Sequence, residues 1–318
     1  MSKFTPKISV IVTVLNEAKT IAVLLNSLVQ QSLVPSEIIV VDGGSRDDTL
    51  KIAQQIEKEH PQVNFIITQK EGNRSVGRNY AISLAAHELL ACTDAGCIPK
   101  NDWLEQLFFR YKESNDPVIA GYYAGVAKTD FEQAVIPYAL VMPDAVNPDT
   151  FLPATRSLFL EKTVWEKLQG FAENLRDNED YEFAKRIQKA NIPISFARNA
   201  IVYWQPRTSI QEFYWMIFRF ARGDIYAGIV RPKVIFIFVR YFCGIALIIS
   251  SATVISVLSS LYAALIIGAL YALWAISKNK KYVATGWYWL PVLQVLADAA
   301  VMQGSVAGFL KKIRTLRA

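Results

Sequence analysis

Residues 38–45 read Ile-Ile-Val-Val-Asp-Gly-Gly-Ser and place an acidic side chain at the end of a continuous apolar run. Strands that are buried on both faces of a parallel sheet carry such runs of branched side chains. The two glycines that follow allow the backbone to turn sharply and to approach a ligand closely. Ser45 followed by Asp48 resembles a helix-capping pair. The stretch therefore predicts a strand, a tight turn and a helix that Ser45 caps.

Three more apolar runs begin near Ile8, Val63 and Glu88, and segments with the apolar spacing of helices separate them. This alternation predicts an α/β fold, with an open, mostly parallel sheet and helices on both faces. No Gly-x-Gly-x-x-Gly follows the first run, and no P-loop pattern occurs in the chain. These absences argue against a dinucleotide oxidoreductase and against a P-loop enzyme.

Acidic side chains mark the ends of these runs. Asp42 closes the second run, Asp94 closes the fourth, and Glu179 with Asp180 begins a later helical segment. The carboxyl ends of strands line the ligand crevice of an open α/β sheet, so we expect these carboxylates around one bound molecule. The Pro-, Asp- and Asn-rich residues 143–153 are typical of a lid or binding loop.

Charge and hydropathy divide the chain unevenly. The apolar share is 52% and the mean hydropathy is +0.21, so part of the chain is expected to contact lipid. Residues 231–318 hold ten Lys and Arg against one acid, a balance of +9, which leaves −3 for residues 1–230. A basic tail of this kind indicates a membrane surface as partner and not nucleic acid.

The tail predicts membrane helices. Residues 241–276 contain no charged side chain and as one helix would extend roughly 54 Å, against a hydrocarbon layer of roughly 30 Å. Two antiparallel transmembrane helices, at about 234–257 and 260–277, fit this length better. Such a hairpin returns the lysines at 278–281 to the side of the preceding domain, as the positive-inside rule requires.

Two other apolar segments each leave two interpretations. Residues 290–310 are apolar but include Gln294, Asp298 and Gln303, which predicts either a third span or a membrane-surface or re-entrant helix. Residues 213–222 mix aromatic side chains with arginines, as an interfacial helix or an aromatic core helix would.

These patterns predict two domains, a cytosolic domain at 1–230 and a membrane domain at 231–318. Cys92, Cys97 and Cys243 fit neither a zinc ribbon nor a redox pair, and we expect reduced thiols. No apolar signal core precedes the first strand. We therefore expect a multi-pass membrane protein whose first domain faces the cytoplasm.

Five motifs carry a resemblance to a known family. They are Ile-Ser-Val-Ile-Val-Thr-Val-Leu-Asn-Glu at 8–17, Ile-Val-Val-Asp-Gly-Gly-Ser at 39–45, Gly-Arg-Asn at 77–79, Thr-Asp-Ala-Gly-Cys at 93–97 and Asn-Glu-Asp at 178–180. In order and spacing, over about residues 7–225, they resemble family 2 glycosyltransferases with the GT-A fold. The resemblance implies a nucleotide-diphosphate sugar donor, a divalent metal and inversion at the anomeric carbon. The tail looks like that of members that act on lipid-linked or exported glycans.

The same resemblance implies donor-binding residues. Asp42 would accept hydrogen bonds from the nucleoside, or alternatively only cap a helix. Arg74 and Arg78 would neutralise the diphosphate, or alternatively lie at a solvated helix start. The complete implied set is Thr13, Leu15, Asn16, Glu17, Asp42, Gly43, Arg74, Arg78, Thr93 and Asp94.

The implied metal ligand is Asp94, because Mg²⁺ or Mn²⁺ prefers carboxylate oxygen and stabilises the leaving diphosphate. This chain departs from the family here, since Gly96 stands where the second Asp of Asp-x-Asp is usual. Either fewer protein ligands hold the metal, or a residue elsewhere contributes, or no metal is needed.

The implied catalytic residues are Asp180, as the general base, and Glu179 beside it. Adjacent carboxylates raise one another's proton affinity, which helps to tune a base. The alternative is that both acids merely begin a helix whose dipole favours them. Gln205 and Arg207 resemble a weak form of the family's acceptor and diphosphate motif, or else form part of a proline turn.

The sequence thus predicts a membrane-attached glycosyltransferase that moves a sugar to a hydroxyl of a lipid-linked or polysaccharide acceptor. One alternative is a non-catalytic, membrane-bound nucleotide-sugar binder or assembly partner, which the missing second Asp favours. Another is a nucleotidyltransferase, but the chain lacks a basic, Gly-rich signature near its first strand.

Overall fold

The computed structural model describes residues 6–317, without the side chains of 315–317. Residues 1–5, which enter the prediction about the N-terminus, lie outside the described residues. Internal contacts divide the chain into two units, Met1–Val126 with Pro143–Gln205, and Ala127–Met142 with Pro206–Ala318. The predicted domain boundary at residue 230 stays a prediction, and the contact units group residues 206–230 with the tail instead.

The chain forms eight strands and eleven α-helices within the described residues. The strands are β1 (Ile8–Val14), β2 (Glu37–Asp42), β3 (Phe65–Gln69), β4 (Leu89–Asp94), β5 (Cys97–Pro99), β6 (Val118–Gly125), β7 (Leu158–Glu161) and β8 (Ile194–Trp204). The helices are α1 (Ile21–Val29), α2 (Thr49–Glu59), α3 (Arg74–Leu84), α4 (Trp103–Ser114), α5 (Asp130–Ala139), α6 (Lys162–Lys167), α7 (Glu179–Lys189), α8 (Ile210–Tyr226), α9 (Pro232–Val254), α10 (Val257–Asn279) and α11 (Leu290–Arg317).

The first unit is built on one sheet with the strand order β3-β2-β1-β4-β7-β6-β8-β5. Strands β3, β2, β1 and β4 are parallel, β7 runs antiparallel to β4 and β6, and β8 is parallel to β6. The predicted α/β class with a mostly parallel sheet is confirmed. One edge of the sheet therefore gathers the ends of β1, β2, β4, β6 and β8 together with the beginning of β7.

A glycine of β6 allows tight packing between β6, β7 and β8. Gly121 lies at the irregular register between β6 and β8, and a Cβ there would lie 1.9 Å from the Ser157 hydroxyl and 2.9 Å from the Ala200 carbonyl. Overpacking of this kind costs about 1–3 kcal/mol. We expect Gly121→Ala to lower the free energy of unfolding by that amount, measured by urea denaturation in detergent. Gly96→Ala is unsuitable as a control because Gly96 has a φ of +79°, so Ala124→Gly, on the same strand, serves instead.

The second unit is helical and comprises α5 and α8–α11. By length and composition, Pro232–Val254, Val257–Tyr282 and Trp287–Arg314 are each able to cross a membrane. The first two match the predicted spans 234–257 and 260–277 within a few residues. Neither of those two apolar windows is buried within the protein, whereas 44% of the third is. The predicted third membrane-associated segment, 290–310, is thus part of a longer helix that packs against α8.

Polar side chains join the helices of this unit. Arg240 of α9 donates a hydrogen bond of 2.5 Å to Asp298 of α11, and the Tyr271 hydroxyl of α10 donates to the same carboxylate. On α8, Phe213 is fully buried while Trp215 is 48% exposed. Helix α8 thus has a packed face, as an aromatic core helix would, and an exposed aromatic face, as an interfacial helix would. The choice between these two interpretations stays open.

Candidate active site

Three neighbouring strand ends bring predicted site residues to one edge of the sheet. β1 lies between β2 and β4, with Val14 paired to Asp42 and Thr13 paired to Asp94. Because these strands are parallel, both acidic residues lie at the same level, one on each side of the end of β1. This is the crevice position that the alternation of strands and helices indicates.

Asp42 is fully buried and its carboxylate shapes the turn that follows it. It accepts hydrogen bonds from the Ser45 backbone N–H (3.0 Å), the Ser45 hydroxyl (2.6 Å) and the Gln69 amide (2.9 Å). The predicted helix cap at Ser45 was wrong, because this hydroxyl bonds to Asp42 and α2 begins only at Thr49. The contact of Asp42 with a nucleoside stays a prediction.

The loop after β1 is held against the turn after β2. The Asn16 N–H donates to the Ser45 hydroxyl (2.8 Å), and the Glu17 N–H donates to the Thr49 hydroxyl (2.7 Å). Asn16 adopts the left-handed conformation with a φ of 56°, and the Leu15 side chain is 51% exposed. Two segments that were predicted to bind the donor therefore form one hydrogen-bonded surface.

Arg78 links the end of β4 to the start of α7. Its Nη2 donates to Asp94 and its Nη1 to Glu179, both at 2.7 Å, and its side chain is 3% exposed. Burial disfavours the charged guanidinium, but the charges of Asp94 and Glu179 outweigh burial and raise the pKa of Arg78. Both terminal nitrogens thus serve carboxylates, and the predicted contact of Arg78 with a diphosphate stays a prediction.

Asp94 is partly exposed, with 24% of its side chain accessible to solvent, against 4% for Glu179. It also accepts a hydrogen bond of 3.1 Å from the Thr155 hydroxyl. Burial opposes its ionised form, yet the charges of Arg78, Arg74 and Arg156 lower the pKa of Asp94 below its ordinary value. Asp94 is therefore an anion at neutral pH.

Asp180 has the opposite electrostatic environment. Burial and the neighbouring Glu179 raise the pKa of Asp180, against the opposing charge of Arg78. Its Oδ1 accepts a hydrogen bond of 2.8 Å from the Tyr181 N–H in the first turn of α7. A buried carboxyl group with raised proton affinity is suited to accept a proton from a substrate.

Two residues of this cluster, Thr155 and Arg156, are absent from the sequence-based set of site residues. Because β7 runs antiparallel to β4, with Leu158 paired to Cys92, its beginning lies beside the end of β4. The predicted parallel arrangement was based on the four runs near Ile8, Glu37, Val63 and Glu88, and it made no prediction for the direction of β7. The available signal was the polar Thr-Arg pair between a predicted binding loop and a strand.

The remaining predicted residues take different positions. Thr13 is half-buried, and Thr93 is buried with no hydrogen-bond partner for its hydroxyl among the described residues. Gly43 donates its N–H to the Val14 carbonyl at 2.9 Å. Gln205 is exposed at the end of the first unit, whereas Arg207 belongs to the second unit. The roles of all these residues stay predictions.

The described residues contain no group of three or more His, Cys, Asp or Glu side chains that could hold a metal ion. Mg²⁺ is nevertheless commonly held by one or two carboxylates together with substrate phosphates and water. The partly exposed, ionised Asp94 fits that arrangement. The residues suit a cation that is shared with a bound diphosphate and do not form a site made of protein ligands alone.

Comparison with known families settles the family of the chain. Residues 9–190, which are 182 of its 318 residues, match the model of Glycosyl transferase family 2. The chain belongs to this family. It is therefore a glycosyltransferase, as predicted, and the segment that matches the family contains every acidic residue of the cluster.

Characterised relatives agree with this assignment. Glycosyltransferase AglE of Haloferax volcanii is 26% identical over 71% of this chain and 75% of its own length. The cholesterol galactosyltransferase of Borreliella burgdorferi is 28% identical over 61% and 58%, respectively. The O-antigen chain rhamnosyltransferase RfbN of Salmonella typhimurium is 23% identical over 65% and 70%.

Solved structures share the fold of this family member. The mannosyltransferase PcManGT of Pyrobaculum calidifontis, in complex with GDP-Man and Mn²⁺, superposes with a TM-score of 0.67 over 94% of this chain and 88% of its own, at 18% identity. S. aureus TarS in complex with UDP-GlcNAc gives a TM-score of 0.50 over 96% and 92%, at 19% identity. These likenesses confirm the GT-A-like architecture.

Proposed function

We propose that this family 2 member transfers a sugar, with inversion, from a nucleotide-diphosphate donor to a hydroxyl of a lipid-linked or polysaccharide acceptor, with Asp180 as the general base. The observation that carries the proposal is the contrast between two carboxylates that both feel the charge of Arg78. Asp94 is held ionised, whereas Asp180, at the start of α7, has a raised proton affinity. Such a division suits one carboxylate to the leaving group and the other to the acceptor.

In this scheme Asp180 takes the proton of the acceptor hydroxyl as that oxygen attacks the anomeric carbon and the bond to the diphosphate breaks. The ion pair between Glu179 and Arg78, at 2.7 Å, anchors the first turn of α7, in which Asp180 lies. Asp94 would hold Mg²⁺ or Mn²⁺, which stabilises negative charge on a departing diphosphate. The fold shared with a Mn²⁺ and GDP-Man complex supports this part of the proposal.

The proposed acceptor and location rest on the second unit and on the relatives. Three helices long and apolar enough to cross a membrane follow the catalytic unit. The names of two relatives specify a sterol and an O-antigen chain. We propose a multi-pass membrane protein whose catalytic unit faces the cytoplasm, where basic residues at the ends of the spans favour retention.

The purified protein in detergent, screened against UDP, GDP and dTDP sugars for thermal stabilisation, tests the donor assignment. A ligand that binds only the native state raises the melting temperature, and the stabilisation grows with the logarithm of the ratio of its concentration to its Kd. We expect one nucleotide class to stabilise the protein and to support transfer to a lipid or glycan acceptor. Stabilisation by none of these sugars would contradict the proposal, and binding without transfer or hydrolysis would favour a non-catalytic binder.

The pH dependence of transfer tests the role of Asp180. A general base acts only when it has lost its proton, and burial beside Glu179 raises the pKa of Asp180. We expect kcat/KM to fall as the pH falls through an apparent pKa above the ordinary carboxyl value of about 4. Because the two acids lie side by side, the apparent pKa belongs to the pair. An acid limb at or below pH 4 would contradict the assignment.

A further inference from the structure

Arg78 has little capacity left for a substrate. Its side chain is 3% exposed, and its two terminal nitrogens donate to Asp94 and Glu179. Breaking the bond to Glu179 to reach a phosphate would leave a carboxylate that is only 4% exposed without its charged partner, which is strongly unfavourable. The negative charge of a diphosphate or phosphate is therefore better met by a cation other than Arg78, in addition to the Arg74 that the sequence predicts.

Arg156 is placed to provide it. Its guanidinium lies over the rings of Tyr123 and Trp204, with 5.4 Å and 5.7 Å from Cζ to the ring centroids. Tyr123 lies near the end of β6 and Trp204 ends β8, so both rings belong to the site edge of the sheet. Cation–π contact with two aromatic rings restricts the position of a guanidinium while leaving its N–H groups available.

Arg156 lies near the two carboxylates to which the proposed function gives roles, Asp94 and Asp180. Thr155, the preceding residue, donates a hydrogen bond of 3.1 Å to Asp94. The positive charge of Arg156 acts on the carboxylates of both Asp94 and Asp180 and favours their ionised forms. Among the described residues no ion pair within 4.0 Å engages this guanidinium, in contrast to Arg78.

We propose that Arg156 is a phosphoryl-binding residue of this active site, which receives phosphate oxygens that Arg78 is not free to bind. A planar guanidinium binds phosphate through two parallel N–H···O bonds, and contact with Tyr123 and Trp204 restricts its position before a ligand arrives. The phosphate belongs either to the donor diphosphate or to a phosphorylated lipid acceptor. This inference rests on the proposed function and names a residue that neither the sequence motifs nor the family resemblance singled out.

The first arm of the test concerns the donor. Affinities of UDP and GDP, and of UMP and GMP, are measured by calorimetry for the wild type, Arg156→Gln and Arg156→Lys. If Arg156 binds the donor, Arg156→Gln weakens the diphosphate nucleotide about tenfold to a hundredfold and leaves the monophosphate nearly unchanged. Arg156→Lys is intermediate, because lysine keeps the charge but loses the planar fork.

The second arm concerns the acceptor. Thermal stabilisation by farnesyl phosphate is compared with that by farnesol in the same variants. If Arg156 binds an acceptor phosphate, Arg156→Gln abolishes the preference for farnesyl phosphate over farnesol while nucleotide affinities stay unchanged. Either pattern supports the proposal and identifies the source of the phosphate.

Arg198→Gln is the matched control, because Arg198 is an exposed arginine of β8. Arg198→Gln should change neither the nucleotide affinities nor the preference for farnesyl phosphate over farnesol. The proposal is overturned if Arg156→Gln, folded with a wild-type melting temperature, behaves as Arg198→Gln does in both arms. Failure of the wild type to bind any of the nucleotides would instead contradict the proposed function, so the two failures are distinguishable.

Discussion

Replacing Asp180 with Asn is expected to lower the rate of sugar transfer by about 10²- to 10⁴-fold, which is the usual contribution of a general base. The amide has nearly the shape of the carboxylate but cannot take the proton of the acceptor hydroxyl. Donor binding should remain near normal, because the proposed role of Asp180 concerns the acceptor. The measurements are single-turnover transfer rates and the Kd of the donor, both in detergent.

Glu59→Gln is the control for the loss of one carboxylate charge, since Glu59 is an exposed acid at the end of α2. It should leave both the transfer rate and the donor Kd unchanged. Unaltered turnover in Asp180→Asn would refute the assignment of the base. A loss of donor affinity of the same size as the loss of rate would place Asp180 at the donor instead.

Replacing Arg78 with Gln is expected to destabilise the protein by about 3–5 kcal/mol, because it removes the cation from a buried ion pair and leaves carboxylates unpaired. Glu179 is 4% exposed in its side chain and would lose its charged partner. Without this cation the pKa of Asp180 should rise further, since the charge of Arg78 opposes its elevation. The acid limb of activity should therefore move to higher pH in any folded variant.

Thermal unfolding in detergent and the pH profile of transfer measure these two effects. The control is Lys100→Gln, which breaks an ion pair with Asp102 whose side chains are 44% and 28% exposed. Exposed pairs contribute only about 0–1 kcal/mol, so the control should change the melting temperature little. Equal stability losses in the two variants would contradict the structural role of Arg78.

Much of the fold was predictable because its signals are local. The run at residues 38–42 is completely buried as β2, as a continuous apolar strand of a parallel sheet should be. The long uncharged tail likewise predicted α9 and α10. By contrast, the sequence patterns do not predict α5, whose start is capped by the Thr129 hydroxyl, which accepts a hydrogen bond from the Glu132 N–H. Pro137 lies inside this helix, where proline is normally unfavourable. The helix also packs against α11, and local apolar spacing does not reveal such a distant contact.

The candidate site was predictable only where its residues follow strand ends in the parallel half of the sheet. Asp94 and the start of α7 fall into this class, and Arg78 joins them. Thr155 and Arg156 escaped prediction because the direction of β7 depends on pairing across about 65 residues, which no local pattern encodes. Asp42 shows a second limit of the sequence. The motif assigns its carboxylate to a ligand, but in the structure this carboxylate already accepts hydrogen bonds from Ser45 within the turn.

The bond between Arg240 and Asp298 has a consequence for biogenesis. For α9 to enter a bilayer during synthesis, its guanidinium must be accommodated before α11, 58 residues further along, has left the ribosome. A lone arginine or aspartate at the centre of an inserted helix costs about 2.5–3.5 kcal/mol. In the proposed membrane arrangement, completion of α11 thus neutralises the charge on α9 and favours insertion of the tail as a whole.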